Sequence, residues 1–169
     1  RLSIRYDLLP RESEILHLHF WDRAFEQMKQ LGVIRYETEG KQAGCWVMPF
    51  EEHTGTEDHE NDKILVRSNG TVTYTGKDIA YQMWKLGILG LDFNYKYFHT
   101  YANGQDVWIT TAEAGTKAVS LPEFGHGETI YNVIDSRQSY PQDIVRKGVA
   151  AISPERGEKA SIHLSYEMV

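Results

Sequence analysis

TIYNVIDSRQSYPQDIVRKGVAAISPERGEKASIHLSYEMV, residues 129–169, is the stretch that decides the fold class. TIYNVID is a short apolar run suited to a buried strand. QDIVRKGVAAI has helical spacing, with Ile144, Val145, Val149 and Ile152 on one side, and SIHLSYEMV is again strand-like. Strand, helix, strand in that order predicts a βαβ unit. Such units build parallel sheets with right-handed crossovers, whose ligands gather beyond the carboxyl ends of the strands. Asp135 to Gln138 fall at such an end, so the chain is read as α/β.

Working outward, PRESEILHLHFWDRAFEQMKQLG places Ile15, Leu18, Trp21, Phe25 and Met28 at helical spacing between Pro10 and Gly32, which predicts one amphipathic helix. Val33 to Tyr36 and Gly44 to Met48, around Glu39-Gly40, predict a hairpin packed beside it. Residues 49–62 are acidic and poor in apolar groups, so a solvated loop is expected. His53 and His59 lie there at a spacing that matches no standard ligand pattern, and no metal is expected. KILVRSNGTVTY then reads as strand, Asn69-Gly70 turn and strand, and IAYQMWKLG as a short helix closed by Gly87. FNYKYFHTY and DVWITT form a second hairpin candidate about Asn103-Gly104, followed by a glycine-marked loop to about residue 128.

The formal net charge of −6 gives no general attraction for a polyanion, because nucleic-acid affinity rests largely on Lys and Arg neutralising phosphates. The single cysteine, Cys45, excludes an intrachain disulfide framework and fits a reducing compartment, so a cytoplasmic location is expected. No run approaches the roughly 18 apolar residues of a membrane span. An N-terminal Arg1 and the apolar run at the other end suggest a piece of something longer.

Three stretches together resemble the arginyl-tRNA synthetases, a class I family: KILVRSNGTVTYTGKDIAYQMWKLG at 63–87, YNVIDSRQSYPQDIV at 131–145 and IHLSYEMV at 162–169. The first is the specific one, since Tyr74 followed by Asp78-Ile79-Ala80-Tyr81 fits a segment of that family directly. YDLLPRESEIL and TEGKQAGCW resemble what precedes it there, whereas residues 94–128 match poorly. The His-x-Gly-His and Lys-Met-Ser-Lys type signatures of the family occur nowhere in the chain. The resemblance therefore implies the middle of a catalytic domain, a partial Rossmann-like parallel nucleotide-binding sheet with an inserted α+β connective subdomain. Residues 1–62 would be the insertion-like segment with its acidic loop. Residues 63–169 would be the second half of the nucleotide fold, with a hairpin excursion near 94–128.

The resemblance also implies an activity: arginine is activated with ATP, accompanied by Mg2+, and transferred to the 3′ end of tRNA. The substrate carboxylate is the nucleophile, so no catalytic side chain is assigned, and catalysis is positioning and charge stabilisation. Arginine, ATP and tRNA are the implied partners of the whole enzyme. Lacking both signatures, the chain alone is expected to be inactive, to hold no cofactor tightly and not to bind tRNA strongly.

By the resemblance Asp78 binds the substrate guanidinium, a planar cation whose natural bidentate partner is a carboxylate. The plain reading of the residues is that Asp78 caps a helix starting at Ile79. Tyr74 would wall the pocket, or else be a core tyrosine at a strand end. Gln138 aligns with a glutamine near the bound amino acid, or is an ordinary first-turn residue. Asp135 and Ser136 stand where many class I relatives carry an Asp-His pair, so either could touch ligand instead. Met168 and Val169 would meet adenine, or belong to a plain buried strand. Glu167 replaces a glycine common in the family. Alternatives from other classes are a class I synthetase for another amino acid and a non-catalytic stand-alone binding module.

Overall fold

The computed structural model describes residues 4–49, 62–113 and 123–167. In chain order the elements are β1 (Leu8–Leu9), α1 (Glu12–His17), α2 (Phe20–Gln30), β2 (Arg35–Tyr36), β3 (Trp46–Met48), β4 (Lys63–Val66), α3 (Tyr74–Lys85), β5 (Asn94–Thr100), β6 (Asp106–Thr111), β7 (Ile130–Asp135), α4 (Ser139–Ile152), α5 (Pro154–Ala160) and β8 (Ser161–Tyr166). A 3-10 turn, Ser136–Gln138, joins β7 to α4.

The βαβ reading is borne out. β7 and β8 pair in parallel with Ile130 opposite Ser161 and Asp135 opposite Tyr166, and α4 and α5 form the crossover. The apolar run of β7 is nonetheless covered on one face only: Asn132 is buried, while Tyr131 and Val133 are exposed. α5 was not foreseen, because SPERGEKA carries no apolar stripe. It starts with Pro154, pre-set for a first helical turn, and packs by its glycine. A Cβ on Gly157 would sit 2.1 Å from the Ala150 backbone nitrogen of α4. Backbone cannot swing aside as a side chain tip can. Gly157→Ala is therefore expected to destabilise the fold by about 2 kcal/mol or more, read as a lowered urea midpoint.

The single helix expected between Pro10 and Gly32 is two helices. His19 adopts φ +59°, a left-handed conformation that ends the run from α1, and its Nδ1 meets Asp22 Oδ2 at 2.6 Å at the head of α2. Helical spacing persists across the break, so apolar periodicity alone does not reveal it.

The β2–β3 hairpin forms and packs on α2, where Phe25 meets Trp46 edge-on with centroids 5.0 Å apart. β4 adds to β3 on its other side. The strand expected after Asn69-Gly70 reduces to one bridge, Val66 to Val72. The cause is Thr73. Its hydroxyl donates to Ile64 O at 3.1 Å and accepts from Gly76 N at 3.3 Å, so the chain passes from extended backbone straight into α3.

The β5–β6 hairpin is present, with Gly104 at φ +85° in its turn, and β1 unexpectedly joins β6 in parallel. The fold is thus α/β with parallel pairing in two places. One core joins α1 to α5, with Phe20, Met28, Ile79, Met83, Phe93, Ile144 and Val149 almost fully buried. Each such side chain contributes roughly 1.5–3 kcal/mol by leaving water. α3 lies at the centre, packing against α1, α2, α4 and β4. No helix of the described residues is long and apolar enough to cross a membrane.

Candidate functional site

α3 carries the specific motif of the sequence, and its start corrects two expectations. The helix begins at Tyr74, capped by Thr73, so Asp78 is in its second turn and is not a cap. Tyr74 is 76% exposed, so it is not a core tyrosine at a strand end. Asp78 follows Tyr74 by one helical turn and shares its face. Tyr74 also lines an open cleft of ≈ 370 Å³ with Arg67, Asn69, Thr71, Thr73 and Lys77, and Lys77 Nζ lies 4.8 Å from its ring centroid.

Asp78 is exposed on the second turn of α3, with enough protein around it to cost its carboxylate part of its hydration. Loss of surrounding water raises its pKa, and the Glu12 carboxylate of α1 raises it further; Lys85 and Lys77 pull it down. Among the described residues Asp78 accepts no hydrogen bond and joins no ion pair. The Glu12 carboxylate of α1 is thus near enough for its charge to act on Asp78, and among the described residues no direct contact neutralises Asp78. Like charges so placed accept a shared cation readily. Glu12 was missed by reading the sequence. There it follows Pro10 as an ordinary acidic first-turn residue, and only the α1–α3 packing brings it to Asp78.

One turn further along α3, Tyr81 stacks on Trp84 with centroids 5.5 Å apart and planes 5° from parallel. Burial pushes the Tyr81 hydroxyl up to about 12, so it remains protonated through the neutral range. Lys85 Nζ sits 4.4 Å from the Tyr81 centroid and donates to Asn132 Oδ1 of β7 at 3.0 Å. Burial lowers its pKa, while Asp78 raises it. Gln82 donates to Ser161 Oγ of β8 at 3.1 Å. The polar face of α3 is thus pinned to the parallel strands.

Asp135, at the end of β7, accepts from Arg137 N at 2.9 Å, Nε at 2.8 Å and Nη2 at 3.0 Å. That guanidinium covers the carboxylate and holds its pKa below the usual range. With three of its acceptor directions used locally, Asp135 serves the turn. Gln138 is exposed at the start of α4 and makes no hydrogen bond to Tyr74 or Asp78 among the described residues. Met168, Val169, His53 and His59 lie outside the described residues.

No family model matches the chain. Its sequence does match arginine–tRNA ligases. One from Deinococcus radiodurans is 40% identical over 171 residues, covering all of this chain and 27% of the relative. One from Thermus thermophilus is 42% identical over 99% of the chain and 27% of its own length, and one from Thermococcus sibiricus is 36% identical over all of the chain. A solved arginyl-tRNA synthetase from Thermus thermophilus superposes with a TM-score of 0.77 at 36% identity, over 96% of this chain and 26% of that one. The chain is homologous to a segment of arginyl-tRNA synthetases. It spans about 27% of the length of these relatives. The motif-based resemblance thus extends across the chain, including the poorly matched hairpin region.

Proposed function

We propose that the chain forms part of an arginyl-tRNA synthetase, a ligase that activates arginine with ATP and transfers it to tRNA, and that its own contribution is the arginine side-chain pocket. The observation that carries this reading is the Asp78 carboxylate on α3, exposed and without a hydrogen bond or ion pair among the described residues, with Glu12 of α1 near enough for its charge to act on it. A guanidinium offers five donors in one plane and a delocalised positive charge, so it can engage one carboxylate by two parallel bonds and still present an edge to a second. An arriving cation also removes the repulsion between Glu12 and Asp78. The exposed ring of Tyr74 forms the wall toward the open cleft, and Gln138, exposed beyond the end of β7, is assigned to the bound amino acid by the family resemblance alone.

In this reading residues 63–169 are the second half of a Rossmann-like nucleotide fold with the 94–128 excursion, and residues 1–62 an insertion-like segment. Met168 and Val169 contact adenine. The parallel β7–β8 pair supports that placement, since nucleotides bind beyond such strand ends. In this reading Mg2+ accompanies the ATP phosphates. A cytoplasmic location accords with the lone cysteine.

The test compares arginine with citrulline in pyrophosphate exchange by the full-length protein that contains this sequence. Citrulline keeps the shape and loses the charge. Arginine should support exchange and citrulline should be discriminated against by at least about 100-fold, because a charged pocket left with a neutral ligand strands its carboxylates. Equal use of both would sink the proposal.

A further inference from the structure

We propose that the cleft beside Tyr74 is a phosphate site built by Arg67 and Lys77, and that its ligand is a phosphodiester near the 3′ end of tRNA. The inference rests on the reading of the chain as part of an arginyl-tRNA synthetase, whose second step brings that end to the activated arginine. The cleft, ≈ 370 Å³ and open to solvent, lies between the turn after β4 and the start of α3. Both walls are held by backbone. Gly70 N donates to Arg67 O at 2.8 Å and Arg67 N to Thr71 O at 2.9 Å, which closes a turn with Gly70 at φ +82°. Thr73 N donates to Leu65 O at 2.9 Å and Lys77 N to Thr73 O at 3.2 Å, which ties the start of α3 to β4.

The side-chain groups left over are donors. Asn69 Oδ1 accepts from Thr71 N at 3.0 Å, which leaves its amide nitrogen to offer. The Thr73 hydroxyl is already engaged between Ile64 O and Gly76 N. Among the described residues the Arg67 guanidinium makes no hydrogen bond or ion pair, and the Lys77 ammonium rests on the Tyr74 ring, 4.8 Å from its centroid, with no ion pair. Acidic residues outnumber basic ones in the chain, 24 to 18, yet the lining holds two cations and no carboxylate. Two cations and an amide donor with no competing carboxylate match a phosphate, which offers only acceptors and negative charge. Arg67 can grip it with two parallel bonds, and Lys77 adds a point charge. ATP is the other source of this chemistry. Its place in the same reading is beyond the ends of β7 and β8, whereas the cleft borders Tyr74, the outer wall of the arginine pocket, where the tRNA end must arrive. A net charge of −6 gives RNA no general attraction, so the contacts that hold it have to be local ones.

Fluorescence anisotropy on the full-length protein that contains this sequence measures affinity for an arginine-accepting tRNA transcript from about 50 to about 200 mM salt. Arg67→Gln combined with Lys77→Gln should weaken binding at least about fivefold at the lower salt and flatten the log–log salt dependence by about 1, the share of one phosphate. Lys77→Arg, which keeps the charge, should bind as wild type does. Should the pair disturb the fold, Arg67→Gln alone, at an exposed position, should keep the direction with a loss of about twofold or more. Calorimetry with ATP should give one affinity for wild type and the double variant, and a transcript lacking its last four nucleotides should bind both equally. A double variant with wild-type tRNA affinity and salt slope overturns the proposal. Loss of ATP affinity with tRNA binding kept gives the phosphate to ATP and overturns it too, and an equal loss for the shortened transcript does so by placing the contact away from the 3′ end. Failure of the wider reading looks different: the wild-type protein then binds no tRNA and does not distinguish arginine from citrulline, whatever stands at 67 and 77.

Discussion

Asp78→Asn in the full-length protein is expected to weaken arginine recognition by at least about tenfold, equivalent to about 1.4 kcal/mol, with thermal stability unchanged or slightly raised. The two directions have one cause. Folding raises the Asp78 pKa above its ordinary 3.8, so the ionised group is less comfortable in the folded chain than in the unfolded one. A raised carboxyl pKa means that the folded state binds the proton more tightly. Its stability cost is present above the folded pKa and disappears as pH falls through that value toward 3.8. Asparagine removes that cost at neutral pH and relieves the repulsion from Glu12. It cannot replace the charge that a guanidinium needs. Because Thr73 caps α3, the substitution loses no helix cap. The arginine Michaelis constant, the ATP Michaelis constant and the melting temperature separate the outcomes. Loss of melting temperature with unchanged arginine kinetics would return Asp78 to a structural role, and an equal loss for ATP would point to general disruption of the site.

The neighbouring carboxylate should behave in parallel but more weakly. Glu12 is exposed on α1 and reaches the site only through helix packing. Glu12→Gln should lower arginine affinity by about two- to fivefold, since a solvated ion pair is worth less than about 1 kcal/mol. It should also lower the pKa of Asp78. No change in arginine affinity in Glu12→Gln would remove Glu12 from the pocket.

What could be read from the sequence follows from the range of the forces involved. The βαβ unit was legible because TIYNVID and SIHLSYEMV are local apolar runs and QDIVRKGVAAI keeps a helical stripe. The hairpin at Asn103-Gly104 was legible because its turn chemistry sits in two adjacent residues. The break at His19 was not, since its left-handed conformation interrupts the chain without interrupting the spacing of Leu18, Trp21 and Phe25. The N-terminus of α3 was misplaced for a related reason: Thr73 and Asp78 are both good caps, and only the bond from Thr73 to Ile64 O decides between them. Asp78 itself stood out through a local motif. The Glu12 charge that acts on it is brought there by α1 packing on α3, and no sequence pattern marks the two as neighbours.

The support beneath that site predicts a large loss of stability. Phe93 is 2% exposed, with ring centroids 4.4 Å from Phe20, 4.8 Å from Trp84 and 6.4 Å from Tyr81. Phe93→Ala should cost about 3–5 kcal/mol, the transfer free energy of the ring plus that of the cavity it leaves. Phe93→Leu, which fills most of the space, should cost about 1.5 kcal/mol or less. The ring also has a second duty. It braces the Tyr81–Trp84 stack on which the Lys85 ammonium rests, so a cavity there lets the stack tilt on the face of α3 that carries Asp78. Arginine affinity in Phe93→Ala should therefore decline even under conditions where the protein remains folded, while in Phe93→Leu it should stay near wild type. Urea unfolding followed by near-ultraviolet circular dichroism, together with arginine titration in the absence of denaturant, measures both effects. A cost below about 1 kcal/mol for the alanine variant would mean that the ring is not packed against these neighbours in solution, and the link from the core to the site would fail with it.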